Sequence, residues 1–184
     1  LLMHRALSIK ASGYLLMGAG FLFLGFHYMK ECFEVFQADI DLAAYAVGGY
    51  LGVLLFVLIG VVMTVVMQSS HATLLIIITA LAAGQVSYDN ALALAIGANL
   101  GSAITTALGG LAANLGGRRL AAAHVVFNLV TAVVAVVFIG QLAWLVDFIA
   151  DGVGIREDDQ LLKLALFHTI FNVLGVVLLA PFIT

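Results

Sequence analysis

"VVMQSSHATLL", residues 65–75, places Gln68, Ser69, Ser70, His71 and Thr73 inside a stretch that otherwise reads as membrane filler. How that block sits decides the fold. Residues 42–88 contain no Asp, Glu, Lys or Arg, a gap too long for one membrane span of about 20 residues. The chain must therefore fold back within it. One helix over residues 42–67 would leave residues 74–88 for the return, about 22 Å of helix against about 30 Å of hydrocarbon. Gly48, Gly49 and Gly52 offer a break instead and leave two comparable limbs, 53–67 and 74–87. Limbs that short predict a re-entrant helical hairpin over about residues 53–87, with the block from Gln68 to Thr73 as its tip.

A tip at membrane depth has unpaired backbone groups, which is tolerated only against protein or a water-filled cavity. The first limb ends in free carbonyls. The second begins with free N–H groups of partial positive charge, to which Ser and Thr hydroxyls add donors. Such a tip suits an anion beside a small cation. The plainer alternative is that these hydroxyls satisfy local backbone or hold helices together.

A second polar block, "IGANLGSAITT" (residues 96–106), sets Gly97 and Gly101 around Asn99, followed by Ser102, Thr105 and Thr106. Each glycine weakens a helix by about 1 kcal/mol relative to alanine, so a broken helix is expected over about residues 90–114, opening near Asn99. Asn99 would cap the second half and turn its amide into the cavity that Ser102, Thr105 and Thr106 line. Close helix packing through small residues is the competing use of the two glycines. Farther on, "HVVFN" (His124 to Asn128) recurs as "HTIFN" (His168 to Asn172). Each motif puts His and Asn on one helical face, which predicts polar contacts between helices. Two histidines on separate helices with no third ligand are weak support for a transition metal.

The rest of the sequence agrees with a membrane setting. Hydrophobic residues make up 64% and charged residues 9%, the composition of an all-α integral membrane protein in the cell membrane. A net charge of −3, with no basic cluster beyond Arg118 and Arg119, argues against a nucleic-acid partner. Residues 11–29 read as a first transmembrane helix. Placing Arg5, Lys10, Arg118 and Arg119 in the cytoplasm puts every acidic residue, Asp39 and Asp41 among them, on the far side. The chain begins without methionine and ends directly after an apolar run, so it is read as a single membrane domain, residues 1–184, cut from something longer.

With these motifs in hand, the chain resembles the sodium/phosphate cotransporter family, the type II symporters and their bacterial relatives. Residues 13–31 are similar to the helix preceding a repeat. Gln68-Ser69-Ser70 is similar to the family's Gln-Ser-Ser-Ser tip, Gly97-Ala98-Asn99-Leu100-Gly101-Ser102 to its Gly-Ala-Asn-Ile-Gly-Thr segment, and residues 167–181 to its closing helix. The resemblance implies one half, the second repeat, of an inverted-repeat transporter that moves inorganic phosphate with sodium by alternating access. Phosphate falls to Ser69, Ser70, His71 and Thr73, and sodium to Gln68, Asn99, Ser102, Thr105 and Thr106, with sodium the one metal and no organic cofactor. The missing first repeat, the bilayer and a cytoplasmic regulatory domain downstream are the implied partners. His71 stands where the family has a third serine, and Ser102 where a threonine is common. A histidine can gain a proton near neutral pH, so His71 predicts a pH response. Two other readings are a non-transporting scaffold or sensor and a membrane-embedded serine hydrolase. The hydrolase lacks a Gly-x-Ser-x-Gly elbow.

Overall fold

The computed structural model describes residues 7–36 and 49–182, and the regular structure in them is helical throughout. The chain divides into two compact units, residues 1–40 and 41–184. The first holds α1 (Leu7–Phe36), which makes the predicted first span helical along its length. Its apolar stretch Ile9–Gly25 is shorter than the four candidate spans of the second unit. Asp39 and Asp41, assigned to the far side, and Gly48, assigned to a helix break, lie outside the described residues.

The second unit contains α2 (Gly49–Met67), α3 (Ser70–Ala82), α4 (Tyr88–Leu111), α5 (Leu115–Val137), α6 (Ile139–Val153) and α7 (Gln160–Leu179), which ends in a 3₁₀ turn, Ala180–Phe182. Helices α2, α4, α5 and α7 with its 3₁₀ turn are each long and apolar enough to cross a membrane. The protein is a multi-pass membrane protein. Helix α4 is the axis of the second unit, with every residue from Ala91 to Asn99 buried. A helix that is apolar all round must be wrapped by others, and α2, α3, α5 and α7 all pack against it.

The closest seam lies between α2 and α4. A Cβ on Gly97 would strike the Val57 carbonyl oxygen, and one on Gly60 would strike that of Leu94. A Cβ on Gly101 would come within 2.7 Å of Thr64 Cβ and 2.9 Å of the Val61 oxygen. Residue 57 meets 97 and residue 64 meets 101, so the two helices run parallel, and α3 carries the chain back between them. The expected broken helix is thereby corrected. Helix α4 is continuous from Tyr88 to Leu111, Asn99 sits mid-helix, and Gly97 and Gly101 let two backbones touch. Close packing along the seam offsets the intrinsic helix cost of the glycines.

A helical hairpin, α2–α3, is present with limbs other than those expected, the first of them long enough to span by itself. Helix α2 holds to Met67 and α3 starts at Ser70, so two residues turn the chain, not six. Gln68 takes the left-handed conformation, φ 54, and Ser69 is extended, φ −152 and ψ 109. His71 and Thr73 belong to the first turns of α3. The first limb begins at Gly49, itself at φ 74, and Gly52 is buried inside it rather than breaking it. Its 19 residues reach about 28 Å and the 13 of α3 about 20 Å, so the limbs are unequal. Gly84, φ 73, ends the return, and Ser87 caps α4 by accepting from the Asn90 amide at 3.3 Å.

Two ends follow from this register. One gathers the tip, the α4–α5 turn with Arg118 and Arg119, and the end of α7. The other gathers the starts of α2, α4 and α7 together with α6. Gly175 of α7 lies against Phe127 and Thr131 of α5, and Lys163 near the start of α7 pairs with Asp147 of α6, which follows the end of α5, so α7 runs antiparallel to α5 and parallel to α4.

Candidate functional site

A chain of hydroxyls closes the hairpin from inside. Thr64 Oγ1, fully buried, donates to Thr73 Oγ1 at 3.0 Å. Thr73, also fully buried, donates to the Ser69 carbonyl at 3.0 Å. Both limbs and the turn are thus tied together where α4 presents Gly101. Thr73 spends its hydroxyl inside the hairpin and turns none of it outward. Thr64, lying on the seam, is a residue that sequence reasoning passed over; a lone threonine in the apolar run "VVMTVVM" was its signal.

The outer side of the tip is open. Ser69 Oγ accepts from the Ala72 amide at 3.2 Å, the usual N-cap bond, and its own O–H remains free to donate. The amides of Ser70 and His71 precede the first intrahelical bond of α3, which leaves them without helical acceptors. Ser69 and Ser70 are half-buried, and Gln68 and His71 are exposed. Two amide N–H groups and the side chains of Gln68, Ser69, Ser70 and His71 therefore belong to one helix N-terminus, where the helix dipole favours negative charge.

The α4 residues are placed beside the tip by register. Thr64 lies level with Gly101, so one turn on, Gln68 lies level with Thr105. The hydroxyls point back at their own helix: Ser102 to the Asn99 carbonyl at 2.7 Å, Thr105 and Thr106 to the Ser102 carbonyl at 2.9 and 2.8 Å. Their oxygens keep free lone pairs, whereas their protons are spent. Asn99, on the same stripe of α4 as Ser102 and Thr106, donates from Nδ2 to Asn172 Oδ1 at 3.2 Å. Asn172 Nδ2 in turn donates to the His168 carbonyl at 2.7 Å and lies 3.4 Å from its Nε2. A line of polar groups therefore runs from His168 through Asn172 to Asn99 in the middle of α4.

The repeated motifs share a local bond and then diverge. Asn128 donates to the His124 carbonyl at 2.9 Å, as Asn172 does to that of His168. Of the two asparagines, Asn172 also makes a bond to another helix, because Asn99 faces it. The expected interhelical contact is therefore corrected for His124 and Asn128, whose amide donor stays within α5. A further site escaped the sequence reading at the opposite end, where Lys163 Nζ lies 2.8 Å from Asp147 Oδ1 with the lysine side chain 10% exposed. Its signal was a lysine within an otherwise apolar helix.

These features meet their counterpart in known proteins. The family profile described as Na+/Pi-cotransporter matches residues 52–179, well over half of the chain, and the chain belongs to that family. It is a family of transporters and not of enzymes, which removes the hydrolase reading. The protein named "Putative inorganic phosphate export protein YjbB" in Salmonella typhimurium is 33% identical over 130 residues, 71% of this chain and 23% of that protein. Its namesake in Escherichia coli is 33% identical over 131 residues, with the same shares. "Uncharacterized protein YqeW" of Bacillus subtilis is 25% identical over 179 residues, 94% of this chain and 54% of that protein. The chain spans about a quarter of the first two relatives and about half of the third. No solved structure matches it significantly.

Proposed function

We propose that this chain is one repeat of a sodium-coupled transporter of inorganic phosphate working by alternating access, with the α2–α3 tip as its half of the phosphate site. The observation that carries the reading is the N-terminus of α3, where the Ser70 and His71 amides have no helical acceptor and Ser69 and Ser70 are only half-buried. In this reading Thr73 holds the tip's shape and does not touch phosphate. Sodium sits between the exposed carbonyls at the end of α2, Gln68 and Thr105, with Ser102 and Thr106 flanking it. The tip holds no carboxylate, so sodium offsets the phosphate charge, which makes the two cargoes interdependent. A second tip from the repeat outside this chain completes the site, and the name carried by the Salmonella and Escherichia relatives favours outward movement of phosphate.

Phosphate flux in proteoliposomes of the full-length protein, with and without a sodium gradient, tests this against the scaffold or sensor reading, which requires no flux. Ser70→Ala is expected to raise the half-saturating phosphate concentration by about tenfold or more, since a hydrogen bond to a charged group contributes roughly 1.5–3 kcal/mol. An unchanged value would remove Ser70 from the site.

His71 supplies a second test. Its side chain is exposed in the first turn of α3, next to the two amides that have no helical acceptor, and an imidazole N–H there is a further donor to the anion. His71→Ala is expected to raise the half-saturating phosphate concentration severalfold at unchanged turnover in the same proteoliposomes. An unchanged value would leave His71 without a part in anion binding.

A further inference from the structure

The end of the bundle away from the tip carries a second assembly. A cavity of about 530 Å³ opens between Tyr50 and Val53 of α2, Asp89 and Asn90 of α4, and Gly140 and Ala143 of α6. Helix α6 forms one wall. It joins α5 through the single residue Phe138, which leaves helical geometry at φ −106 and ψ 24, so the chain changes direction at its base. One face, Leu142, Val146 and Ala150, is buried, and α6 packs chiefly on α7.

What holds α6 to α7 there is an ion pair of uneven burial. Lys163 is the one charged residue that is buried among the described residues. Its partner Asp147, one turn beyond the cavity wall at Ala143, has a side chain 50% exposed. A buried ammonium needs its counter-charge, so the pair parts only as water reaches Lys163 in place of the carboxylate, and the half-exposed Asp147 is the partner placed to move. Tyr88, at the start of α4, brings the Oη that is the one buried side-chain polar atom without a hydrogen-bond partner among the described residues. Its chain neighbours Ser87 and Asp89 line the same cavity as Ala143, one turn before Asp147. An unspent buried donor at one side of a cavity, with a carboxylate engaged elsewhere at the other, is what a two-position switch requires.

We propose that α6 is a gate over this cavity, held shut by the Lys163–Asp147 pair and released when Asp147 exchanges Lys163 for the Tyr88 hydroxyl. Asp147, Lys163 and Tyr88 are then positioning residues for transport, far from the tip and touching no cargo. The gate rests on the transport reading above: opening this end while the tip end closes is one half of an alternating-access cycle.

Tyr88→Phe separates the gate from a structural role, because it keeps the ion pair and the ring packing and removes only the second partner. In full-length protein in proteoliposomes, the gate requires phosphate turnover to fall about tenfold at unchanged half-saturating phosphate. Thermal stability should hold or rise, since an unpaired buried hydroxyl is gone. A structural role gives wild-type turnover, and that result overturns the gate. A second readout needs no cargo: with Cys32 replaced, Ala143→Cys is labelled by a membrane-impermeant thiol reagent. Labelling should slow severalfold with Tyr88→Phe and quicken severalfold with Asp147→Asn. The charge-exchanged pair Asp147→Lys with Lys163→Asp, which keeps a latch if Asp147→Asn fails to fold, should label more slowly than Lys163→Gln. Equal rates in all variants would discard the gate. Absence of phosphate flux in the wild type would instead count against the transport reading, leaving the labelling arm to judge the gate by itself.

Discussion

Gly97→Val is expected to leave little folded protein. The new Cβ would meet the Val57 carbonyl oxygen, with the Val57 carbonyl carbon at 2.9 Å and the Val61 nitrogen at 3.0 Å. All three are backbone atoms of α2, so no side chain can rotate aside and the whole helix has to move. Overpacking that a core can absorb costs about 1–3 kcal/mol; here displacing α2 also pulls Gly60 off the Leu94 carbonyl and Thr64 off Gly101. The loss should therefore reach or exceed the top of that range, a large share of an ordinary stability of about 5–15 kcal/mol. Gly109→Val is the control, since nothing lies within 4 Å of a Cβ there and it sits on the same helix. Thermal melting in detergent by size-exclusion chromatography compares the two. Equal melting temperatures would mean that α2 and α4 do not meet through their backbones.

Thr73→Val should cost about 1–3 kcal/mol, the penalty for leaving a buried polar group without its partner. The substitution removes the acceptor of Thr64, whose hydroxyl is fully buried, and the donor to the Ser69 carbonyl at the turn. Thr64→Val should cost less, because Thr73 then keeps its bond to Ser69. The double variant should be no worse than Thr73→Val alone, since the bond between the two hydroxyls can be lost once. Additive losses would show that the two threonines act independently. Phosphate affinity in the full-length protein should weaken along with stability in Thr73→Val, because Ser69 is both turn and candidate ligand.

The sequence made the hairpin legible at its turn and misleading at its flanks. Five polar residues in hydrocarbon forced a reversal near Gln68, and one occurs there. The sequence could not reveal that Ser70 through Thr73 continue as helix. Polar side chains are compatible with a loop and with a capped first turn alike, and the Ser69 bond to the Ala72 amide decides between them. Gly97 and Gly101 posed a similar ambiguity, open helix or close neighbour, and the answer lies in α2, whose Gly60 and Val57 are some 40 positions away in the chain. The two His-Asn motifs look equivalent in one dimension and make the same bond to their own helix. Whether the asparagine also reaches across depends on what faces it, and Asn99 faces the second alone. Lys163 and Asp147 come from different helices, so no local pattern announces their pairing.

The register between α2 and α4 has an electrical consequence. Gln68 lies level with Thr105, and α4 continues from there to Leu111, about 9 Å farther, out of about 36 Å for its 24 residues. A charge seated at the tip has therefore crossed about a quarter of the membrane from the nearer aqueous face. At about 2.3 kcal/mol per elementary charge per 100 mV for the full thickness, each net charge bound there exchanges about 0.6 kcal/mol with a 100 mV membrane voltage. If the tip binds ions as proposed, its occupancy is tied to voltage as well as to concentration, and depolarisation shifts loading there before any helix has moved.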